Sequence, residues 1–336
     1  MIVTIHDVAK KSGYSITTVS RALNGYDDVN EKTREKIIEV AKELNYKPNR
    51  VARSLVSKKV DTIGLFVLGR TSFQQGFIFD IVSGLMDEVS EHDFDLLIFG
   101  TQSLKTGLPF QQLCHQRGVG GAVITGLKIN DPIIKELEKS EVPTVLVDVP
   151  IKGEKATYIT FDNQQGAIQA IDYLASLGHK NIGFINGHME AWVCFERFDG
   201  YKKGLAKNNL PFKEEYIFNG DFTKESGRKG AKKLIERNPE LTAIFVASDV
   251  MAVGALEELV AKGFDVPKDI SIIGFDDQDF AAFTYPTLST IRQNVYPLGR
   301  MAAKNIIQLI TDPKYQPEAN ILDTSLIVRQ STSPPQ

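Results

Sequence analysis

The sequence predicts an α/β protein with a small all-α segment at its N terminus, and three observations support that prediction. Residues 4–45 show the apolar spacing of three short helices. From about Lys59 onward, short apolar runs alternate with amphipathic stretches of helical length, which is typical of parallel sheets covered on both faces. These runs form two successive sets, so we expect two doubly wound parallel-sheet subdomains.

The first two helices are predicted as a pair joined by a turn at Gly13. Thr4 caps the first helix, with Asp7 three residues later as a variant capping box, and Ser15 caps the second. On a helical wheel the second helix has two opposite arcs, which are Ile16, Thr17, Ser20, Arg21 and Asn24 on one side and Thr18, Val19, Ala22 and Leu23 on the other. We expect the second arc to pack and the first, with its hydrogen-bonding groups and one cation, to suit a DNA groove.

The charge distribution agrees with a nucleic-acid-binding N terminus. A third helix, capped by Asn30 and running to about Asn45, closes the predicted three-helix core. Residues 1–59 carry 12 Lys and Arg against 7 Asp and Glu, although the whole chain has a net charge of −3. A basic end on an acidic body indicates that the first segment meets phosphate.

The motif Thr-Ile-x-Asp-Val-Ala followed by Thr-Val-Ser-Arg-x-Leu-Asn resembles the helix-turn-helix signature of the LacI/GalR family of bacterial transcriptional regulators. Segment 49–57, with its Asn followed by Ala-Arg-x-Leu, resembles the hinge helix of that family. The resemblance implies that Arg21, with Ile16 and Thr17, reads bases, and that Leu55 wedges between base pairs from the minor groove. A flexible linker whose leucine docks onto the body is the alternative.

The same resemblance assigns the remaining DNA contacts. The residues expected to position phosphates are Thr4, His6, Ser15, Ser20, Asn24 and Asn49, and Arg53 belongs to the hinge motif. His6 could equally be a surface histidine without a role. We therefore expect a DNA-binding domain at 1–47 and a hinge helix or linker at 48–59.

Residues 60–330 resemble the periplasmic-binding-protein-like core of the same family, which would bind an effector and form the dimer. The predicted strands are 62–68, 95–99, 121–124 and 143–147 in one set, and 158–161, 181–185, 242–246 and 270–273 in the other. We expect the chain to cross between the subdomains more than once, with the last crossing near residues 289–294. A flexible tail is predicted at 331–336.

Ligands in open α/β sheets bind outside the carboxyl ends of the strands, where this chain has several polar groups. The candidate effector contacts are Phe73, Phe77, Asp148, Asp162, Trp192, Arg197, Ser248 and Asp276. In the family, positions matching Arg197 and Asp276 hold effector hydroxyls or carboxyls, and a guanidinium beside a carboxylate suits vicinal sugar hydroxyls. Trp192 could stack on a sugar ring. Instead of contacting an effector, the aspartates could cap helices, and the aromatic residues could pack in a core.

The predicted function is a homodimeric transcriptional repressor of carbohydrate-utilisation genes, released by a sugar from a pseudopalindromic double-stranded DNA operator. Two alternatives use a purine-type corepressor or a phosphocarrier protein. A sugar-binding transport protein is less favoured, because a DNA-binding head stands where an export signal would be. The C-terminal residues have no heptad pattern, so a dimer is expected rather than a tetramer.

An enzyme is not expected, because the aspartates are scattered and no catalytic triad, phosphate-binding loop or metal cluster stands out. We predict no cofactor and no metal. Cys114 and Cys194 have no close cysteine or histidine partner and are expected to be buried thiols. No apolar run approaches about 18 residues, so we expect a cytoplasmic protein without a membrane span.

Overall fold

The computed structural model describes residues 3–46, 60–68, 76–105 and 107–336. The chain divides into two compact units at the boundary between Val60 and Asp61. Asn49, Arg53, Leu55 and Phe73 lie outside the described residues, so their predicted contacts stay predictions.

The first unit, here called the head, contains the three predicted helices. They are α1 (Ile5–Ser12), α2 (Ile16–Leu23) and α3 (Glu31–Glu43). The carboxylate of Asp7 accepts hydrogen bonds from the backbone N and the hydroxyl of Thr4, at 2.9 and 2.8 Å. Ser15 Oγ accepts from Thr18 N at 3.1 Å and so caps α2. These local bonds provide hydrogen-bond partners for polar groups at the starts of α1 and α2. Both helices are too short to be stable on their own.

The core of the head uses the arc of α2 that the helical wheel assigns to packing. Val19 and Ala22 are 0% and 2% exposed, and Leu23 packs against the same cluster. The other buried members come from α1, α3 and the turn between α2 and α3, and are Val8, Ala9, Val29, Ile37, Val40 and Ala41. The opposite arc of α2 therefore stays outside this core.

The second unit consists of two α/β subdomains. The first contains β1 (Thr62–Val67), α4 (Gly76–Glu91), β2 (Asp95–Gly100), a 3-10 turn (Thr101–Lys105), α5 (Phe110–Arg117), β3 (Gly121–Thr125), α6 (Ile133–Leu137), β4 (Thr144–Val147) and β5 (Ala156–Phe161). The second contains α7 (Asn163–Ser176), β6 (Ile182–Asn186), α8 (Trp192–Lys207), a 3-10 turn (Glu214–Tyr216), β7 (Ile217–Asn219), α9 (Lys224–Arg237), β8 (Ala243–Val246), α10 (Asp249–Ala261), β9 (Ser271–Asp276), a 3-10 turn (Asp279–Phe283) and β10 (Ser289–Arg292). The last elements are α11 (Val295–Thr311), β11 (Asn320–Leu322) and β12 (Ser325–Ile327).

Each subdomain is built on a six-stranded sheet. The first sheet has the order β11-β5-β4-β3-β1-β2, with all pairings parallel. The second has the order β12-β10-β9-β8-β6-β7, and only β12 is antiparallel to its neighbour. Strands such as β3 and β8 are buried along their whole length, as expected for parallel sheets covered by helices on both faces. The predicted fold class is confirmed.

The chain passes between the subdomains three times, and the predicted last crossing is wrong. The crossings lie between β5 and α7, between β10 and α11, and between β11 and β12. The predicted site at residues 289–294 is the second of these. The third follows because β11 pairs with β5 of the first sheet, whereas β12 pairs with β10 of the second.

The segment predicted as a flexible tail is anchored to the second subdomain. Ser331 is fully buried, and its hydroxyl donates to Ile272 O at 2.6 Å. The backbone oxygen of Ser333 lies 2.9 Å from Nε2 of the buried His179. The tail thus satisfies polar groups that would otherwise be buried without partners.

The two cysteines are buried free thiols, as predicted. Burial raises the pKa of both Cys114 and Cys194 to about 12, so each stays protonated at neutral pH. None of the helices that the structure describes is long and apolar enough to span a membrane.

Candidate functional site

The second unit contains a cavity of about 590 Å³ at the carboxyl ends of strands from both sheets. Thr125 ends β3 and Asp148 follows β4 in the first sheet, while Asp276 ends β9 in the second. The predicted residues that line the cavity are Phe77, Asp148, Trp192, Arg197, Ser248 and Asp276. The cavity therefore lies where the general rule for open α/β sheets places a ligand.

Arg197 is the most constrained side chain of the cavity. It lies on the second turn of α8, which begins at Trp192. Its side chain is 4% exposed, and its guanidinium carbon is 3.8 Å from the centroid of the Phe275 ring. Its hydrogen-bond acceptors are Asn163 Oδ1 at 2.9 Å, Ala247 O at 2.5 Å and Gln293 Oε1 at 3.4 Å. These contacts hold the guanidinium in one orientation.

Two carboxylates accompany this guanidinium. Asp276 Oδ1 lies 3.8 Å from Arg197 Nη2. Burial raises the pKa of Asp276 to about 7, although the guanidinium opposes the shift. Burial also raises the pKa of Asp148, whose Oδ1 accepts a hydrogen bond from Thr160 Oγ1 at 2.6 Å. Both aspartates have positive φ values, 114° and 62°, a strained backbone that is common at binding sites.

Ser248, and not Asp249, caps α10. Ser248 Oγ accepts from Met251 N at 3.3 Å, whereas Asp249 is the first helical residue. The Asp249 side chain is buried between Thr290 Oγ1 at 2.6 Å and Gln278 N at 2.8 Å. Burial and the nearby Asp276 raise the pKa of Asp249 well above its ordinary value. Asp249 thus links the strand end that carries Asp276 to the start of α10.

The structure places Asp162 outside the lining of the cavity. Its Oδ1 accepts from Gln165 N at 2.8 Å and caps α7, which is the structural alternative that the sequence leaves open. The helix starts directly after this residue, so the carboxylate is drawn to the free N–H groups of its first turn.

Two predicted aromatic residues, Phe77 and Trp192, line the cavity, one from each subdomain, and Phe222 lines it as well. Trp192 is the first residue of α8, and Phe77 lies on the first turn of α4. Both are partly buried. They give the cavity apolar faces beside its carboxylates.

Sequence reasoning misses several lining residues, among them Lys128, His188, Glu190, Asp221 and Gln293. Lys128 Nζ and Glu190 Oε2 form an ion pair between the two subdomains. His188 Nδ1 is buried without a hydrogen-bond partner among the residues that the structure describes, and burial lowers the pKa of this imidazole. Asp221 follows β7 and Gln293 follows β10, so recognising these short strands would have pointed to both.

The head exposes the arc of α2 that is predicted to meet DNA. Ile16 is 42% exposed and Thr17 is also exposed, while the Arg21 side chain is 43% exposed. Asn24 Nδ2 lies 3.4 Å from Ser20 Oγ on the same arc. Thr4, His6 and Ser15 are exposed at the start of α1 and α2. This arrangement is compatible with groove binding, and the individual DNA contacts stay predictions.

Comparison with known proteins identifies both units. Residues 4–49 match the family model of bacterial regulatory proteins of the lacI family, and residues 171–332 match a periplasmic binding protein-like domain. The chain is 34% identical to the probable HTH-type transcriptional repressor ExuR of Bacillus subtilis, over 98% of each protein.

Two solved structures resemble the chain over nearly its whole length. One is a complex of the transcriptional regulator CelR with cellobiose, with a TM-score of 0.75, 32% identity and coverage of 98% of this chain and 99% of the other. The second is the lac repressor dimer bound to operator and the anti-inducer ONPF, with a TM-score of 0.82, 29% identity and coverage of 99% and 100%.

Proposed function

Because the chain belongs to the LacI family of bacterial regulatory proteins, we propose that it is a dimeric repressor of carbohydrate-utilisation genes that a sugar releases from its operator. It is a DNA-binding transcriptional regulator, and its relatives carry the names of regulators and not of enzymes. A cytoplasmic location, in contact with operator DNA, is part of the proposal.

The observation that carries the sugar proposal is the chemistry of the cavity. Its cations, Arg197 and Lys128, each lie beside a carboxylate, Asp276 and Glu190, and Asp148 adds a further acid. An anionic ligand would therefore find, among the lining residues that the structure describes, no cation without a neighbouring carboxyl group. Neutral hydroxyls can donate to carboxylates and accept from a guanidinium, and the volume is typical of a small-molecule site. A neutral sugar therefore fits better than a phosphorylated ligand.

Exposed apolar side chains support a dimer. In the first subdomain they are Phe79 and Met86 on α4 with Leu97 and Ile98 on β2, and in the second they include Phe283 and Tyr285, 85% and 92% exposed. Patches of this kind mark protein interfaces. A second copy of the chain is the proposed partner, since the related lac repressor is a dimer on its operator. Two-fold symmetry in turn calls for a pseudopalindromic site.

A thermal-shift screen of the full chain tests the proposal with neutral sugars, sugar phosphates and purines. A ligand at about 100 times its dissociation constant should stabilise the protein by about 2.7 kcal/mol. We expect a neutral sugar to do so, and to weaken binding to a selected operator duplex. Asp276→Asn should reduce the shift, whereas Asp162→Ser, which keeps a cap on α7 away from the cavity, should not.

Other outcomes of the screen point to the alternatives. Stabilisation by a purine that tightens DNA binding would support corepression and contradict release by sugar. No small-molecule shift, together with DNA binding that requires a phosphocarrier protein, would support the catabolite-type alternative.

A further inference from the structure

The turn that follows α2 holds an acid against the arginine expected to read bases. Arg21 Nε donates to Asp28 Oδ1 at 3.0 Å, and Nη2 of the same guanidinium pairs with Asp28 Oδ2. The guanidinium carbon also lies 4.8 Å from the centroid of the Tyr26 ring. Because the contact has two points and an aromatic face beside it, the plane of the guanidinium is set relative to the carboxylate.

The turn itself is fixed to the head. Val29, next to Asp28, is 9% exposed and belongs to the core of the head. Tyr26 N donates to Arg21 O at 3.1 Å, and Arg34 Nη2 donates to Tyr26 O at 2.8 Å. The turn that carries Asp28 is therefore held in place by contacts with α2, α3 and the core of the head.

The edge of the guanidinium that Asp28 occupies decides what Arg21 can still bind. A guanidinium has five N–H donors, and the carboxylate uses those of the Nε–Nη2 edge. The end-on edge, formed by Nη1 and Nη2, faces away from the carboxylate. Its two parallel N–H groups match O6 and N7 of guanine.

Without a role of this kind, an acid on the surface expected to meet DNA would bring little benefit to folding and would oppose DNA binding. The Arg21 and Asp28 side chains are 43% and 56% exposed, so the pair adds little to folding stability. A carboxylate near a phosphate backbone also opposes binding to any duplex. The geometry of the pair, and not its energy, is what distinguishes Asp28 from the other acids of the head.

We propose that Asp28 is a positioning residue for base readout, which holds Arg21 end-on toward the major groove and so contributes sequence specificity at some cost in general affinity. The inference rests on the proposed function, in which α2 enters the groove of an operator. Asp28, which lies in the turn after α2, would then join the residues that determine which operator sequence is bound.

The test uses the full chain and duplexes selected from a randomised pool by the wild-type protein. Binding is then measured to the best duplex and to duplexes in which each guanine is replaced in turn. Asp28→Ala should lose about tenfold of the preference for guanine at one position per half-site, while binding to unrelated DNA stays equal or tightens. Asp27→Ala is the matched control, since it removes the same charge from the same exposed turn without touching the Arg21–Asp28 contact. It should keep the preference.

Equal changes on every duplex for Asp28→Ala and Asp27→Ala would overturn the proposal, because Asp28 would then be only a repulsive charge. Arg21→Ala separates this failure from a failure of the proposed readout. It should remove the same guanine preference, and adding Asp28→Ala to it should remove no more. If Arg21→Ala leaves the preference intact, the base-reading role of Arg21 fails, and that of Asp28 with it. Melting curves followed by circular dichroism check that each variant is folded.

Discussion

At the scale of single residues, Asp276 shows how burial can couple effector binding to pH. Burial raises the pKa of its carboxyl to about 7, and Arg197 nearby limits the shift. The ionised form is the one that can accept two hydrogen bonds from a sugar. The affinity for a neutral sugar should therefore be about tenfold higher at about pH 8 than at about pH 6, as titration calorimetry can measure.

The contribution of Asp276 to folding stability should fall, and not rise, as the pH increases toward about 7. Between the ordinary aspartate pKa and about pH 7, the folded state binds more protons at Asp276 than the unfolded chain does. Stability from this group is thus present at low pH and is lost as pH rises through about 7. Asp276→Asn should flatten both profiles. Asp148 and Asp249 also have raised pKa values, so a profile unchanged in Asp276→Asn would assign the titration to one of them.

At the scale of elements, the packing of α4 against α11 depends on glycine. A Cβ atom at Gly84 would collide with Tyr296 O and lie 2.8 Å from Arg300 N, and both are backbone atoms of α11. Gly84→Ala should push the helices apart and lower the free energy of unfolding by about 2 kcal/mol in urea titrations. Ser83→Ala is the control, because the Ser83 hydroxyl bonds Phe79 O of its own helix. An equal loss in both variants would contradict this account.

The strands that the sequence predicts have a sustained apolar run, and they are β1 to β5 of the first sheet, with β2 at its edge, and β6, β8 and β9 of the second. The sequence assigns β5 to the second set, but β5 pairs with β4 in the first sheet. The four strands that the sequence misses, β7, β10, β11 and β12, have only three or four residues each. β11 and β12 are edge strands held by partners far away in the chain, β5 and β10. Short edge strands need little apolar surface, so their pattern is too weak to identify them.

Which residues of the candidate site could be predicted also depends on which strands and helices the sequence reveals. Asp148 and Asp276 were predictable, because Asp148 directly follows the buried apolar strand β4 and Asp276 ends the buried strand β9, both at carboxyl ends that border the cavity. Asp162 looks similar in the sequence, yet a helix begins directly after it and takes its carboxylate as a cap. Asp221 could not be predicted, because it follows β7, a strand that the sequence does not reveal. Asp28 had no signal, because its role depends on a turn that returns to Arg21 seven residues earlier.

At the scale of the whole second unit, the three crossings leave each sheet intact and connect the two subdomains at three points along the chain. The cavity is lined from both sides, so a bound sugar would contact both subdomains at once. Such an arrangement favours closure of one rigid subdomain on the other as the response to ligand. Any interaction that exists only in the closed arrangement should therefore contribute to effector affinity and, by linkage, to operator release.

The ion pair between Lys128 and Glu190 joins the two subdomains, so we expect it to break when they move apart. Beside the ion pair, Ile129 N donates to Glu190 O at 3.0 Å, so both a side chain and the backbone join the subdomains here. The two charged side chains are 57% and 60% exposed, which limits the contribution of the ion pair to about 1 kcal/mol or less. Glu190→Gln should weaken sugar binding by up to about fivefold at low salt, and the difference should vanish at high salt.

Glu141→Gln provides the matched control for this prediction. Glu141 pairs with Lys155 at 2.7 Å and is similarly exposed, but both residues lie in the first subdomain. Its loss should leave sugar affinity unchanged, because the pair is present whether the cavity is open or closed. If the two variants weaken sugar binding equally, surface charge and not closure is responsible. If Glu190→Gln alone weakens it, the sugar concentration needed to release the operator should rise by the same factor, since closure then links the cavity to DNA binding.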